Sequence, residues 1–589
     1  MHRLAAACER IAATTKKLEK VAIVAEYFQS RSPEEDSVSA IFLSGRPFPV
    51  WDEATLQVGG SLLWRLVAEL AGRSEAELTG VYRKHGDLGA VAGEVLPEHG
   101  QGGVGVLEAR DRFREIANAR GVAAKQAVVR RLLSRATPLE AKYLVKIMTG
   151  DLRIGLKESL VEEAIAKAYG GTPAAVQRAN MLLGDIGETL LLASQGTLAE
   201  AKMRLFHPLG FMLASPAESA EDALSYFEPA LVEDKYDGIR AQAHCAGDEV
   251  RIFSRTRDEI TESFPELPDA LCGLPQDAIL DGEIVAWSYT AETTLASAPG
   301  DRSIASSRDA GATVDAAAAA NGAALPFTAL QQRLGRKKVS EELMRRVPVA
   351  FLAFDVLYAG GELLLDRPLS ERSKALDDLL RARKPGKARS LASQGTFAFD
   401  EPERVAAKVL RAPVFAAASP AELEQLFEAA QARGNEGLMI KDPASSYTPG
   451  RRGKLWLKLK RELATLDVVV TAVEYGHGKR VGVLSDYTFA VWDGERLVNI
   501  GKAYSGLRDA EIAEMGTWFL EHTVEDQGFR LIVKPRIVLE VAFNNMMRSD
   551  RHESGFALRF PRIVRLRPDK PPEEADTIAR VREIYEKQK

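Results

Sequence analysis

The chain has 589 residues, of which 46% are hydrophobic and 27% charged, and its net charge is −5 at pH 7. That length is more than one hydrophobic core organises, so roughly three to four domains are expected. No apolar run is long enough to cross a bilayer as a helix. The acidic balance excludes a globally basic polyanion binder, so any phosphate contact must come from a local basic stripe.

The only cysteines, Cys8, Cys245 and Cys272, are far apart, which argues against a disulfide framework and a Cys-rich zinc module. Met1-His2-Arg3-Leu4-Ala5 lacks the apolar core of a secretory signal. A reducing cytoplasm is the expected location, with no membrane association.

Residues 1 to about 205 read as successive helices. Thr137-Pro138-Leu139-Glu140 joins a capping residue, a proline at the first helical position and a glutamate three after the cap. Ser74-Glu75-Ala76-Glu77 and Ser159-Leu160-Val161-Glu162 predict two more capping boxes, and Gly170-Gly171 predicts a helix stop. Between helices lies Thr149-Gly150-Asp151-Leu152-Arg153-Ile154-Gly155-Leu156-Lys157. Its two glycines permit close backbone approach, and Arg153 and Lys157 supply cations beside it. On composition alone an ordinary helix–helix turn with surface charges is the favoured reading.

From about 206 to 462 short β-like runs alternate with helices, an α+β mixture. Glu233-Asp234-Lys235-Tyr236-Asp237-Gly238-Ile239-Arg240 sets a lysine between two strand-like runs. It reads either as a solvated Asp-Gly turn or as a lysine nucleophile in a cleft. Further along come Phe253-Ser254-Arg255, then Leu280-Asp281-Gly282-Glu283, predicted as a buried strand presenting one carboxylate. Phe354-Asp355 follows in a β-prone run, then Asn435-Glu436-Gly437 entering an apolar strand, and the basic stretch Arg451 to Arg461. Alternation in that stretch puts Trp456, Lys458 and Lys460 on one face. Each segment alone has a bland reading as turn, core or solvated face. Together they suit nucleotidyl transfer: a lysine attacks an α-phosphate, carboxylates hold a divalent metal, basic residues clamp phosphates and an aromatic ring stacks on a base.

The order Lys-x-Asp-Gly-x-Arg, Asp-Gly-Glu, Phe-Asp, Glu-Gly, Lys-x-Lys resembles the covalent nucleotidyltransferase superfamily. Leu152-Arg153-Ile154-Gly155-Leu156 before a helix is similar to the helical DNA-binding domain of archaeal- and eukaryotic-type ATP-dependent DNA ligases. The resemblance implies that Lys235 is adenylated by ATP. It places Arg240 and Arg255 on the nucleotide, Glu283 at the ribose or metal, Phe354 against adenine and Glu436 at the metal. Arg452 and Lys458 would reach the phosphates, and the backbone at Glu233 would read the adenine edge. Implied cofactors are ATP and Mg2+ or Mn2+, and the implied partner is nicked duplex DNA, bound by a monomer. RNA ligases and GTP-using capping enzymes share Lys-x-Asp-Gly, and a non-catalytic DNA-binding scaffold is a third reading.

No Gly-x-x-x-x-Gly-Lys-Ser/Thr phosphate loop occurs, and Gly476 to Gly482 is out of register for a dinucleotide fingerprint and reads as a loop. Thr293 to Asn321, rich in Ala, Ser, Gly and Asp, reads as a flexible surface insertion. From Leu466 closely spaced strands with glycine turns suit a small β-barrel, and the resemblance implies an OB-fold. Arg559-Phe560-Pro561-Arg562-Ile563-Val564-Arg565-Leu566-Arg567 reads as one β-like run, with Arg559 and Arg562 implied at phosphates. The expected architecture is multidomain: an all-α DNA-binding domain (1–205), an α+β adenylation (nucleotidyltransferase) domain (206–462) and a β-barrel OB-fold domain (463–589).

Overall fold

The computed structural model describes residues 1–589 except 30–31, 53, 99–102, 228, 289–322, 326, 335, 337–338, 385, 387–406, 461–464, 477–479, 481, 529 and 588–589. The interval from Thr293 to Asn321, expected as a surface insertion, lies outside the described residues, as do four positions of the 476–482 loop. The chain divides into two compact units, one of residues 1–15, 56–156 and 461–589, the other of residues 16–55 and 157–460.

In the first unit, helices from His2–Ala12 to Pro138–Met148 carry an apolar core that includes Leu63, Leu66, Phe113, Ile116 and Leu144. The Ser74 and Thr137 capping boxes form as expected: each side chain accepts from the backbone three residues on, and each glutamate reaches back. After Met148 the chain turns through Gly150, Arg153 and Gly155, all in the left-handed region.

The C-terminal part of this unit is β-rich: Thr465–Tyr475, Leu484–Asp493, Arg496–Ala503, Thr523–Asp526, Arg530–Val533, Val538–Ala542 and Arg562–Leu566 form one sheet. The strand Thr465–Tyr475 is paired on both edges, and the sheet wraps a core containing Val470, Phe489, Val491, Ile500 and Val541. The expected single run from Arg559 to Arg567 is broken. Phe560 takes a left-handed φ of 51° and Pro561 has no N–H to give a ladder, so a strand ends at Arg559 and another starts at Arg562.

The second unit holds helices between Lys17 and Gln195 and two β-sheets. The expected Ser159 box is absent: the helix begins two residues earlier, Glu158–Tyr169, capped by Lys157 without a side-chain bond. Glu162, its intended partner, accepts from Asn180 Nδ2 at 2.7 Å instead.

Among the described residues the strands of this unit are β1 (Leu213–Ala217), β2 (Ala230–Lys235), β3 (Ile239–Ala246), β4 (Glu249–Ser254), β5 (Ala278–Ser288), β6 (Ala323–Ala324), β7 (Val349–Ala359), β8 (Glu362–Leu363), β9 (Lys408–Arg411), β10 (Phe415–Ala417), β11 (Gly437–Lys441) and β12 (Arg452–Leu459). One sheet runs β1-β12-β11-β2-β10, and the other β4-β3-β5-β7-β8 with β6 on β5 and β9 on β7. Helix Pro420–Ala432 covers the outer face of the first sheet through Leu423, Phe427 and Ala430. Helices Leu267–Leu271 and Leu369–Ala382 cover the outer face of the second through Leu267, Leu271, Leu376 and Leu379. The inner faces share Leu209, Met212, Ile279, Phe354, Leu357, Tyr447 and Trp456.

Polar side chains tie this inner layer together. Alternation along β3 sends Arg240, Gln242 and His244 inward while Ala241, Ala243 and Cys245 enter the outer core. Arg240 grips Asp281 with two bonds of 3.1 and 2.7 Å and donates to the Met212 carbonyl at 2.6 Å. Tyr447 donates to the same carboxylate at 2.6 Å. The expectation that the 280–286 strand presents one carboxylate to a pocket agrees with this: Asp281, fully buried, is spent on Arg240 and Tyr447, which leaves Glu283.

Gln242 accepts from Leu209 N–H at 2.8 Å, and His244 Nδ1 lies 2.9 Å from Phe206 N while its Nε2 lies 2.9 Å from Gln242 Oε1. Those partners need the neutral Nε2–H tautomer, because a second ring proton would point at the Phe206 N–H. Burial, His207 and Arg251 accordingly push the His244 pKa down to about 3.

Two measurements test this layer. A histidine whose folded pKa lies below its unfolded value stabilises fully above pH 6.5, and that contribution is lost as pH falls toward 3. Urea unfolding of His244→Gln should show a shallower loss across that window than the parent, the difference reaching a few kcal/mol. Asp281→Ala, which strands a buried guanidinium, should lower stability by about 3–5 kcal/mol at pH 7. An unchanged midpoint would contradict the network.

Candidate active site

Lys235 ends β2, and its place follows from pairing across a long sequence gap. β2 and β11 are antiparallel with Gly437 opposite Lys235, and β11 pairs β12 with Leu438 opposite Leu459. The C-terminal ends of β2 and β12 and the start of β11 therefore meet at one edge. Lys235 Nζ donates to Glu436 Oε2 at 2.7 Å, and Lys460 pairs with the same oxygen. Glu436 N–H also donates to the Lys235 carbonyl at 2.8 Å, so the pair is bound through backbone as well as side chain.

Two glycines in the motifs are steric requirements. Gly437 has φ 144°, and a Cβ there would meet the Leu459 carbonyl oxygen at 2.3 Å. A Cβ on Gly238 would meet the Ile284 carbonyl oxygen at 2.4 Å and Glu283 Cγ at 2.8 Å, which is why the β2–β3 turn can lie against β5.

The electrostatics are those of an anion pocket with two carboxylates. Burial works to raise the Glu436 pKa, but the Lys235 and Lys460 ammoniums outweigh it and hold it down to about 2. Glu283 goes the other way. Burial pushes it up to about 8, against the pull of Lys235 and Arg240. Lys458 is lowered by burial and by Lys235, Arg452 and Arg255, and Lys460 by burial and Lys235. Five cations so close to one another are costly without a polyanion to share. Arg255 and Arg452 are exposed at its mouth.

The aromatic wall comes from a break in sheet register. Asp281 faces Asp355 and Gly282 faces Ala353, which leaves Phe354 as the extra residue of a β-bulge, and Leu357 is a second between Val356 and Tyr358. Both bulged side chains turn into the inner layer. Phe354 lies edge-on to Trp456 at 6.3 Å. Beneath them Lys441, almost fully buried, sits 4.5 Å from the Phe354 ring centre and 4.3 Å from that of Trp456, and donates to Glu233 at 2.5 Å.

The structure thus brings together Lys235, Glu436, Lys458, Arg452, Arg255 and Glu283 of the residues named from sequence. Glu233 and Phe354 lie at the adjoining wall. Arg240 is nearby but fully engaged with Asp281, Met212 and the rings of Phe211, Phe354 and Trp456. In the other unit, Arg153 pairs with Asp151 and donates to the Gly86 carbonyl, Arg559 lies over the Phe560 ring, and Arg562 is exposed. Lys157 is exposed at its helix start.

Sequence reasoning had Lys460, Asp281, Asn435 and Lys441 inside its motifs but gave them no role, and it missed Tyr447 and Arg433. Lys441 closes the Glu-Gly segment and was within reach of a pattern argument. Tyr447 carries no local signal.

Comparison with known proteins bears on the whole chain. Residues 1–166 match the family model described as DNA ligase N terminus, residues 211–316 and 299–460 the ATP dependent DNA ligase domain, and residues 480–570 the ATP dependent DNA ligase C terminal region. A probable DNA ligase of Koribacter versatilis is 57% identical over 100% of this chain and 97% of its own length. The DNA ligase of Methanopyrus kandleri is 34% identical over 99% of this chain and 98% of its own. A solved structure described as Pmar-Lig_PreS3 covers 96% of this chain and 99% of its own at a TM-score of 0.57 and 16% identity, a likeness of fold. Three family models in order, and full-length relatives well above 30% identity, place the chain in the family of ATP-dependent DNA ligases, with N-terminal DNA-binding, adenylation and C-terminal domains and nick sealing as the family reaction.

Proposed function

We propose that the chain seals 5′-phosphate/3′-hydroxyl nicks in duplex DNA through a lysyl-AMP on Lys235. The observation that carries this is the Lys235–Glu436 pair, 2.7 Å long, set among Lys458, Lys460, Arg452 and Arg255. In the first step the Lys235 ammonium gives a proton to solvent, the freed nitrogen forms a bond to the α-phosphorus of ATP as the bond to pyrophosphate breaks, and the nitrogen releases a second proton to solvent to leave a neutral phosphoramidate N–H. While those protons leave, Lys460 still balances the Glu436 carboxylate. Lys458, Arg452 and Arg255 neutralise phosphate oxygens, a role of positioning and charge in a transfer that asks little covalent chemistry of the protein. AMP then passes to the 5′-phosphate of the nick, and the 3′-hydroxyl displaces it.

Phe354 is the ring against adenine, and Glu233, held by Lys441, presents its backbone to the adenine edge. Arg240 acts from beneath by fixing the inner layer. DNA phosphates are assigned to Lys157, Arg559, Arg562 and the remaining Nη2 of Arg153.

A divalent cation, magnesium or manganese, fits the carboxylates. No group of three or more His, Cys, Asp or Glu converges among the described residues, but magnesium held through substrate phosphates needs only one or two carboxylates. Glu283 and Glu436 meet that need, and a cation would return Glu283 to its ionised form at neutral pH. When bound, it supplies charge neutralisation on the phosphates. We assign residues 1–205 to an all-α DNA-binding domain, 206–462 to an α+β adenylation domain and 463–589 to an OB-fold, acting as a monomer on nicked duplex.

Incubation with α-labelled ATP should leave covalent label on the parent and none on Lys235→Ala. Label on that variant would overturn the assignment, and parallel tests with GTP and NAD should give none. Chelation should abolish labelling, with magnesium or manganese restoring it. Glu283→Gln should raise the metal concentration for half-maximal labelling on the order of 10-fold or more.

A further inference from the structure

We propose that Arg433 and Asn435 are positioning residues for lysyl-AMP formation, fixing the Lys235 end of β2 from the opposite side of the sheet. The inference rests on the assignment of Lys235 as nucleophile.

Alternation along β2 sends Asp234 to the face opposite Lys235, where it is buried against the end of helix Pro420–Ala432. Arg433 takes both oxygens of that carboxylate in a fork, Nε and Nη2 each at 2.8 Å, and Asn435 Nδ2 adds a third bond of 2.8 Å. Two such parallel bonds fix orientation as well as distance. The fork is itself anchored. Asn435 N–H returns to the Ala430 carbonyl at 3.0 Å through a left-handed Gly434, so the helix end sets where the clamp stands. The Arg433 guanidinium also lies 5.8 Å over the ring of Phe415 on β10, the strand at the other edge of β2.

Two consecutive residues of the turn therefore hold two consecutive residues of the strand. Asn435 binds Asp234 by side chain, and Glu436 binds Lys235 by backbone and by ion pair. Lys235 is the last residue of its strand, where a frayed end or a one-residue slip would send it to the wrong face. The side chain is long and rotatable, so attack geometry depends on how firmly its Cα is held. Neither Arg433 nor Asn435 faces the phosphate pocket, and their effect is confined to the residue they hold.

The test uses the full chain with Arg433→Met, Arg433→Lys and Asn435→Ala, with Lys235→Ala in parallel. Two reactions are followed: lysyl-AMP formation from α-labelled ATP across ATP concentrations, and sealing of a nick supplied with its 5′-phosphate already adenylated. The second needs no lysine nucleophile, since the 3′-hydroxyl displaces AMP directly. Arg433→Met should lower the maximal rate of lysyl-AMP formation about 10²-fold. The KM for ATP and the rate on adenylated DNA should each stay within roughly threefold. Arg433→Lys should recover part of the rate, because it restores charge without the fork. Asn435→Ala, a milder change, gives the same split should Arg433→Met fail to fold. An unaltered rate of lysyl-AMP formation, or an equal fall in both reactions, overturns the proposal. Label on Lys235→Ala would remove both this inference and the assignment beneath it, whereas an unlabelled Lys235→Ala beside unaffected Arg433 variants would remove this inference alone.

Discussion

The catalytic body depends on one contact made twice, between Lys235 and Glu436. Its backbone half is a strand-edge hydrogen bond and its side-chain half an ion pair, and each needs the other. The sheet register sets Gly437 opposite Lys235, so Glu436, one residue before β11, reaches the end of β2, and the steric limit at Gly437 keeps that turn tight against β12. Lys460 joins the same carboxylate from the end of the third strand, so the edge of one sheet gathers Lys235, its counter-ion and a second cation. An ion pair left half-exposed at a surface contributes little. Here its value is geometric: it is the point to which strand pairing, helix end and phosphate pocket are all referred.

The second sheet answers a different need. Its inner face must be polar enough to hold Asp281 and Glu283 yet dry enough to stack rings. The β3 column of Arg240, Gln242 and His244 does this by giving its buried groups partners in the Leu205–Met212 segment and in β5. Paired charges of this kind contribute modestly to stability beside an apolar isostere, but they fix one arrangement, because breaking either partner leaves a charge stranded. Lys441 with Glu233 and Arg372 with Asp355 repeat the pattern at neighbouring positions, each nearly or fully buried. Opposite outcomes for the two pocket carboxylates follow: the Lys235 and Lys460 ammoniums hold the Glu436 carboxyl well below the usual range, while burial pushes Glu283 above it.

What the sequence made legible was whatever is local. Capping boxes at Ser74 and Thr137, the strands from Leu466 onward and the lysine, carboxylate and basic motifs are patterns within a dozen residues, and the structure shows those elements. What it hid is whatever depends on pairing at a distance. Asp281 looked like half of a turn because its partners, Arg240 and Tyr447, lie 41 and 166 residues away. Arg433 drew no reading at all, its fork on Asp234 being 199 residues away. Ser159 failed as a cap because Glu162 was needed by Asn180, and the Arg559 run failed because one left-handed residue ahead of a proline divides it. The Phe354 bulge is invisible to periodicity, which assumes an unbroken alternation.

The separation of 201 residues between Lys235 and Glu436 has a consequence for how the enzyme comes into being. The edge that holds the lysine is built from β2, β11 and β12, and β1, at the start of the body, pairs in parallel with β12 at its end. Such long-range pairing is slow to form and cannot begin before the last strand exists. On the ribosome, Lys235 is synthesised long before Glu436 and Lys460, and until they emerge it is an ordinary lysine on an unpaired strand. A nascent or truncated chain lacking them has neither the Glu436 counter-ion nor the Lys460 cation at the end of β2, so the site is assembled only when the body is complete.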